Sequence, residues 1–221
     1  MQSIDKGDLA GLFARLREVF VAQRDFLIDL DGKVGDSDLG LTMNKAFTAA
    51  AESVAANTAD PIGKTLQVAG MVIAKAAPST MGTLTATGFM RGGKAVAECS
   101  TIGTPEMAAF WRAYLDGIVE RGKAKPGDKT LVDVLGPIVA ALEASAQSDT
   151  PLFDALTLAT EAAAAALEGT KAMIAQHGKA ACFQEKSLGL QDAGATVGLL
   201  IIDAMRGYVA PDRNLQKGST T

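Results

Sequence analysis

Asp31, Asp36 and Asp38 fall within eight residues of a glycine-punctuated stretch, Asp31-Gly-Lys-Val-Gly-Asp-Ser-Asp-Leu-Gly40. Three carboxylates on so flexible a loop can be turned toward one point, where they repel one another unless a cation lies between them. A hard cation such as Mg²⁺, which takes oxygen ligands from carboxylates and phosphates alike, answers that repulsion. Three solvated aspartates capping the next helix are the plainer reading, and this loop alone does not separate the two. A calcium loop of the EF-hand type fails on spacing. Counted from Asp36, its glycine would fall at position five, and Phe47 stands where the twelfth-position Glu belongs. A phosphate-binding P-loop fails as well: Thr58 occupies the first glycine position before Gly63-Lys64-Thr65, and Asp128 precedes Lys129-Thr130.

Three further segments mix glycine, aspartate and small polar residues: Pro78-Ser-Thr-Met-Gly82, Gly122-Lys-Ala-Lys-Pro-Gly-Asp-Lys-Thr130 and Gly189-Leu-Gln-Asp-Ala-Gly194. The free backbone N–H groups of helices beginning after Gly40, Gly82 and Gly194 can bind phosphate oxygens. Singly, each glycine is a turn residue; four such segments at one end of a bundle make a site. The one histidine, His177, reads as a cap at the C-terminus of a long helix. With no second histidine and no partner near Cys99 or Cys182, nucleophilic triad chemistry has no basis.

The elements that must hold these segments are helices. Alanine supplies 40 of 221 residues and aromatics only 5%, which favours helix over strand. Apolar residues recur at three- and four-residue steps, as in Leu9, Phe13, Leu16 and Phe20. About eight helices are expected, near 8–30, 40–57, 61–77, 84–100, 105–121, 130–147, 151–177 and 192–208, with Thr104 as N-cap of the fifth. Short connections make neighbours antiparallel. The loops after the first, third, fifth and seventh helices then converge at one end, in a single all-α domain over residues 1–221.

Composition narrows the partners. A net charge of −4 and a pI near 5.1 disfavour nucleic acid. Two separated cysteines support neither a disulfide framework nor zinc, and suit a reducing cytosol. The polar, acidic start and the lack of a continuous apolar run predict a cytoplasmic protein without a membrane segment.

Together, Gly35-Asp-Ser-Asp-Leu-Gly40, Lys125-Pro-Gly-Asp-Lys-Thr130 with Val132-Asp133 and Pro137, and Glu185-Lys-Ser-Leu-Gly-Leu-Gln-Asp-Ala-Gly-Ala195 resemble the nucleotide-binding L subunit of dihydroxyacetone kinases. The order and distances of the motifs carry the resemblance from the first helix to near the end. It implies an eight-helix antiparallel barrel that binds ADP or ATP at one end through two Mg²⁺ ions. It places Asp31, Asp36 and Asp38 on the metals and puts Leu39, Gly40, Leu41, Thr42, Thr80, Met81, Gly122, Leu131, Lys179, Asp192, Ala193 and Gly194 around the nucleotide. This chain would then contribute no catalytic group beyond the metal ligands. The acceptor, dihydroxyacetone or a tetrulose such as erythrulose, would sit on a separate K subunit, with ATP or a phosphotransferase-system protein as phosphoryl donor. The family usually has His where this chain has Leu39 and Leu190, Ser at Met81, Arg at Lys179 and Pro at Ala193. Those departures motivate a rival reading, a barrel of the same kind that docks to a partner without turnover.

Overall fold

In the computed structural model, which describes residues 2–57 and 59–211, the helical period is realised almost throughout. Nine α-helices are present among the described residues: α1 (Leu9–Ala22), α2 (Arg24–Gly32), α3 (Leu39–Ala56), α4 (Ile62–Ala76), α5 (Thr80–Ala95), α6 (Thr104–Gly122), α7 (Val132–Gln147), α8 (Leu152–Gly169) and α9 (Ala193–Val209). Two two-residue strands, β1 (Ile4–Asp5) and β2 (Thr101–Ile102), pair antiparallel beside them. The protein is all-α.

Packing closes a ring. Each of α3 to α8 packs on the next, α9 packs on α1 and α1 on α3, while α2 lies against α3 outside that succession. Along two neighbouring pairs glycines set how closely the helices approach. A Cβ placed on Gly63 would lie 2.5 Å from the Gly93 carbonyl oxygen, so α4 and α5 touch backbone to backbone. A Cβ on Gly88 would lie 2.4 Å from the Tyr114 ring, and one on Gly92 would lie 2.5 Å from Phe110; α6 thus runs antiparallel to α5. Between α6 and α7, Arg112 grips Glu143 through two bonds of 2.9 Å. The alternation of direction expected from short loops is therefore present.

Inside the ring six aromatic residues collect: Phe13, Phe20, Phe47, Phe89, Phe110 and Tyr114. Phe20 stacks on Phe47 at 4.4 Å, and Phe89 meets Phe13, Phe47, Phe110 and Tyr114 at ring separations between 5.6 and 6.0 Å. All are essentially removed from water. Each such side chain contributes on the order of 1.5–3 kcal/mol of apolar transfer.

Several boundaries differ from the sequence expectation. The first helix is broken at Gln23, whose backbone (φ −92°, ψ 3°) leaves the helical region. The bend lays the Arg24 carbonyl against Gly40, where a Cβ would lie only 2.0 Å from it. The fourth expected helix begins earlier, at Thr80, because Ser79 caps it by accepting the Gly82 N–H at 3.0 Å. At the start of α6 the cap is Gly103, whose N–H donates to Glu106 at 2.9 Å; the Thr104 hydroxyl instead donates to the Thr150 carbonyl at 2.7 Å. The seventh stops at Gly169. There the Thr170 hydroxyl donates to the Leu167 carbonyl at 2.6 Å and accepts the Asp192 N–H at 3.0 Å. His177 consequently lies outside any helix and caps none.

Candidate functional site

The aspartate loop is built by α2 running into α3. Asp31, in the last turn of α2, accepts the backbone N–H groups of Asp38 (3.0 Å) and Leu39 (3.3 Å) through Oδ2. The loop folds back over it so tightly that a Cβ on Gly35 would lie 2.1 Å from Asp31 Oδ1 and 2.7 Å from its carbonyl oxygen. Ser37 takes a left-handed turn at φ 61°. Asp31, Asp36 and Asp38 each thereby offer a carboxylate oxygen within 4.8 Å of the other two. Asp36 and Asp38 are exposed and Asp31 half-buried. The ammonium of Lys179 reaches in from the segment between α8 and α9 and pairs with Asp36. An oxygen-only donor set suits a hard divalent ion, and the pairing of Lys179 with Asp36 shows that the cluster attracts positive charge.

A second group gathers where α5, α7 and α9 begin. A Cβ on Gly194 would lie 3.2 Å from Asp192 Oδ2, 3.5 Å from Met81 Sδ and 3.7 Å from the Leu131 amide nitrogen. Asp192 caps α9, accepting the Ala195 N–H at 2.6 Å. Thr80 and Met81 occupy the first turn of α5, Ala193 and Gly194 that of α9, and Leu39, Gly40, Leu41 and Thr42 that of α3. Gly122, the last residue of α6, lies beside Leu84 of α5. The expected residues thus fall at helix ends, but they do not all face the same way. Leu39 is buried with Met43 and Phe47 in the apolar core, whereas Leu41 is exposed.

Near Asp192 lies a polar knot to whose lysine and aspartates sequence reasoning assigned no role. Lys129, left-handed at φ 59° and buried, donates its ammonium to the carbonyls of Met173 (3.1 Å), Ser187 and Leu190 (2.7 Å). Asp133 accepts the N–H groups of Gly127 and Thr130, both at 2.6 Å. Asp128 accepts the Lys125 N–H at 2.7 Å and meets His177 Nε2 at 2.9 Å, so the histidine serves a loop-to-loop contact. The Lys125 N–H, and after it His177, hold the Asp128 carboxyl below its usual range. Burial pushes Asp192 up to about 6 against the pull of the Ala195 N–H and Lys129, and the same burial lowers Lys129. The sequence signal for this knot was Lys125-Pro-Gly-Asp-Lys-Thr130 with Asp133, a run of turn residues before a helix start that names the segment but not which side chains close it.

Among the described residues no helix is long and apolar enough to cross a membrane. Residues 33–207 match the model of the DAK2 domain. The chain is 33% identical over 194 residues to the ADP-binding subunit DhaL of the PEP-dependent dihydroxyacetone kinase of Escherichia coli K12, covering 88% of this chain and 92% of that one. It is 30% identical over 203 residues to an L-erythrulose kinase of Pectobacterium atrosepticum, covering 89% of this chain but 34% of the larger protein. Its fold matches the crystal structure of the C. freundii dihydroxyacetone kinase in complex with AMP-PNP and Mg²⁺ with a TM-score of 0.71 at 23% identity, over 94% of this chain and 35% of that one. By the extent of these matches, the chain belongs to the DAK2 domain family.

Proposed function

We propose that this chain is the nucleotide-bearing subunit of a multi-component kinase that phosphorylates a small hydroxyketone. The observation that carries the reading is the convergence of Asp31, Asp36 and Asp38 within 4.8 Å of one another, at the end of the barrel where α3 begins. Relatives over most of the chain are named ADP-binding subunits of dihydroxyacetone kinases, and longer relatives are named erythrulose kinases. These names support ADP or ATP as the ligand and dihydroxyacetone or a tetrulose as the acceptor.

The three aspartates would hold Mg²⁺, two ions by the family resemblance. When bound, magnesium supplies charge neutralisation and Lewis acidity at the transferring phosphoryl group. The chain's own part is to position and to exclude. The first turns of α3, α5 and α9 present backbone N–H groups suited to phosphate oxygens. Lys179, 63% exposed at its side chain and paired with Asp36, is free to turn its ammonium onto a phosphate. Thr80, Met81, Gly122, Leu131 and Asp192 to Gly194 would frame the rest of the nucleotide. The single histidine is engaged with Asp128. The acceptor's carbonyl is therefore assigned to a separate K-type subunit, and the phosphoryl donor is free ATP or a phosphotransferase-system protein acting on bound ADP.

Calorimetric titration with ADP and ATP, with and without Mg²⁺, tests the reading. The expected result is binding that requires Mg²⁺ and is abolished by Asp36→Asn or Asp38→Asn while helicity by circular dichroism is kept. Unchanged ADP affinity in either variant would sink the metal assignment. Binding of neither nucleotide by the unaltered chain would favour a docking module.

A further inference from the structure

The segment from Met173 to Leu190 carries Lys179 toward Asp36 and delivers the chain to the Asp192 cap, yet it has almost no core of its own. Only Ala175 and Ser187 in it are buried, and Gln184 within it is left-handed at φ 46°. Apolar burial therefore does not order it, and a segment of this kind sits at the low-stability end of a fold. What ties it down is polar and comes largely from two adjacent residues. Lys129 gathers the carbonyls of Met173, Ser187 and Leu190 around one ammonium. Asp128 takes the Gln176 N–H on its carbonyl at 3.0 Å and His177 on its carboxylate. All three lysine donors are spent, and the left-handed backbone at Lys129 is a conformation that costs energy and persists only where surroundings impose it.

We propose that Lys129 is a positioning residue for the nucleotide site: by clamping the 173–190 segment at both ends it sets Lys179 at the aspartate cluster and fixes the approach to the Asp192–Gly194 turn. The geometry of the clamp stands alone, while its consequence for ligand rests on the Mg²⁺–nucleotide reading above. Lys129 touches neither the aspartate cluster nor the helix N-terminal groups by any hydrogen bond of its side chain, so its effect on binding would pass through the segment it holds.

The test compares the unaltered chain with Lys129→Met, which removes the donors, and Lys129→Arg, which keeps a cation beside Asp192. The planar fork of arginine cannot gather three carbonyls around one nitrogen. Hydrogen exchange is measured without ligand, and Mg²⁺·ADP affinity by calorimetry. Both variants should lose about tenfold or more of the exchange protection of residues 173–191 with the α-helices unchanged, and should bind Mg²⁺·ADP about tenfold or more weakly. Exchange of the segment within about twofold of the unaltered chain overturns the clamp, as does protection lost equally from every helix. A loosened segment with unchanged Mg²⁺·ADP affinity overturns the positioning role. Should Lys129→Met fail to melt cooperatively, Lys129→Arg decides by the same outcomes. If the unaltered chain binds no Mg²⁺·ADP, the nucleotide reading and with it the positioning role fall, and exchange still judges the clamp.

Discussion

Gly35→Ala adds one methyl group to the aspartate loop without altering any carboxylate, and the structure fixes what that methyl meets. Its Cβ would stand 2.1 Å from Asp31 Oδ1 and 2.7 Å from the Asp31 carbonyl oxygen, both well inside van der Waals contact. The carboxylate could swing aside, but its Oδ2 holds the N–H groups of Asp38 and Leu39, so swinging forfeits two charge-assisted bonds. At roughly 1.5–3 kcal/mol for a hydrogen bond to a charged group, and with partial compensation by water at this half-exposed site, the loss is about 2–4 kcal/mol. The backbone carbonyl cannot swing at all, so the loop must also shift. For a chain of this size that corresponds to a fall in Tm of roughly 5–15 °C. The same displacement spreads the three carboxylates, so Mg²⁺-dependent nucleotide binding should weaken alongside. Differential scanning calorimetry in chelator, then a titration with Mg²⁺·ADP, reads both effects. Gly169→Ala is the control: it ends α8 with nothing within 4 Å of the added Cβ, and should stabilise by about 0.4–1 kcal/mol. A Gly35→Ala protein that melts like the unaltered chain and binds Mg²⁺·ADP equally well would refute the claim that loop closure over Asp31 shapes the site.

Two further outcomes follow from buried groups. Asp192 has its folded-state pKa raised from 3.8 to about 6, so between those values the folded state binds more protons than the unfolded one and stability falls as pH rises. Relative to Asp192→Asn, which keeps a capping oxygen, the unaltered chain should lose about 2 kcal/mol from pH 4 to pH 6 in denaturant melts; a pH-independent difference would refute the assignment. Leu39→His would restore the histidine that the family resemblance leads one to expect. It places an imidazole in an apolar core position 4% exposed, so Tm should drop by an amount equivalent to about 1–3 kcal/mol with no gain in Mg²⁺·ADP affinity, and tighter binding would show that the side chain can reach phosphate.

The ring of helices was legible because each helix advertises its buried stripe locally. The split at Gln23 did not disturb the alternation of direction, since α1 and α2 together still deliver the chain to the end where α3 begins. The aspartate cluster was legible for a related reason: Asp31 and the N–H groups that hold it are seven and eight residues apart, so the whole device lies in one readable loop. Leu39 carries two competing signals. Leu39, Met43, Phe47 and Ala50 form an apolar stripe at helical spacing that turns residue 39 inward, although its place after Asp38 suggested a ligand-facing role. Lys129 shows the opposite case. Its three acceptors lie 44, 58 and 61 residues away and are backbone carbonyls, which carry no side-chain identity for a pattern to register. A helix can be read from its own residues because its hydrogen bonds close within one turn. A segment ordered by a distant ammonium looks like loop in every local window, and here such a segment carries Lys179, the ammonium that pairs with Asp36. In this fold the architecture is thus written in local periods, while the alignment of the site depends on polar contacts made across the chain.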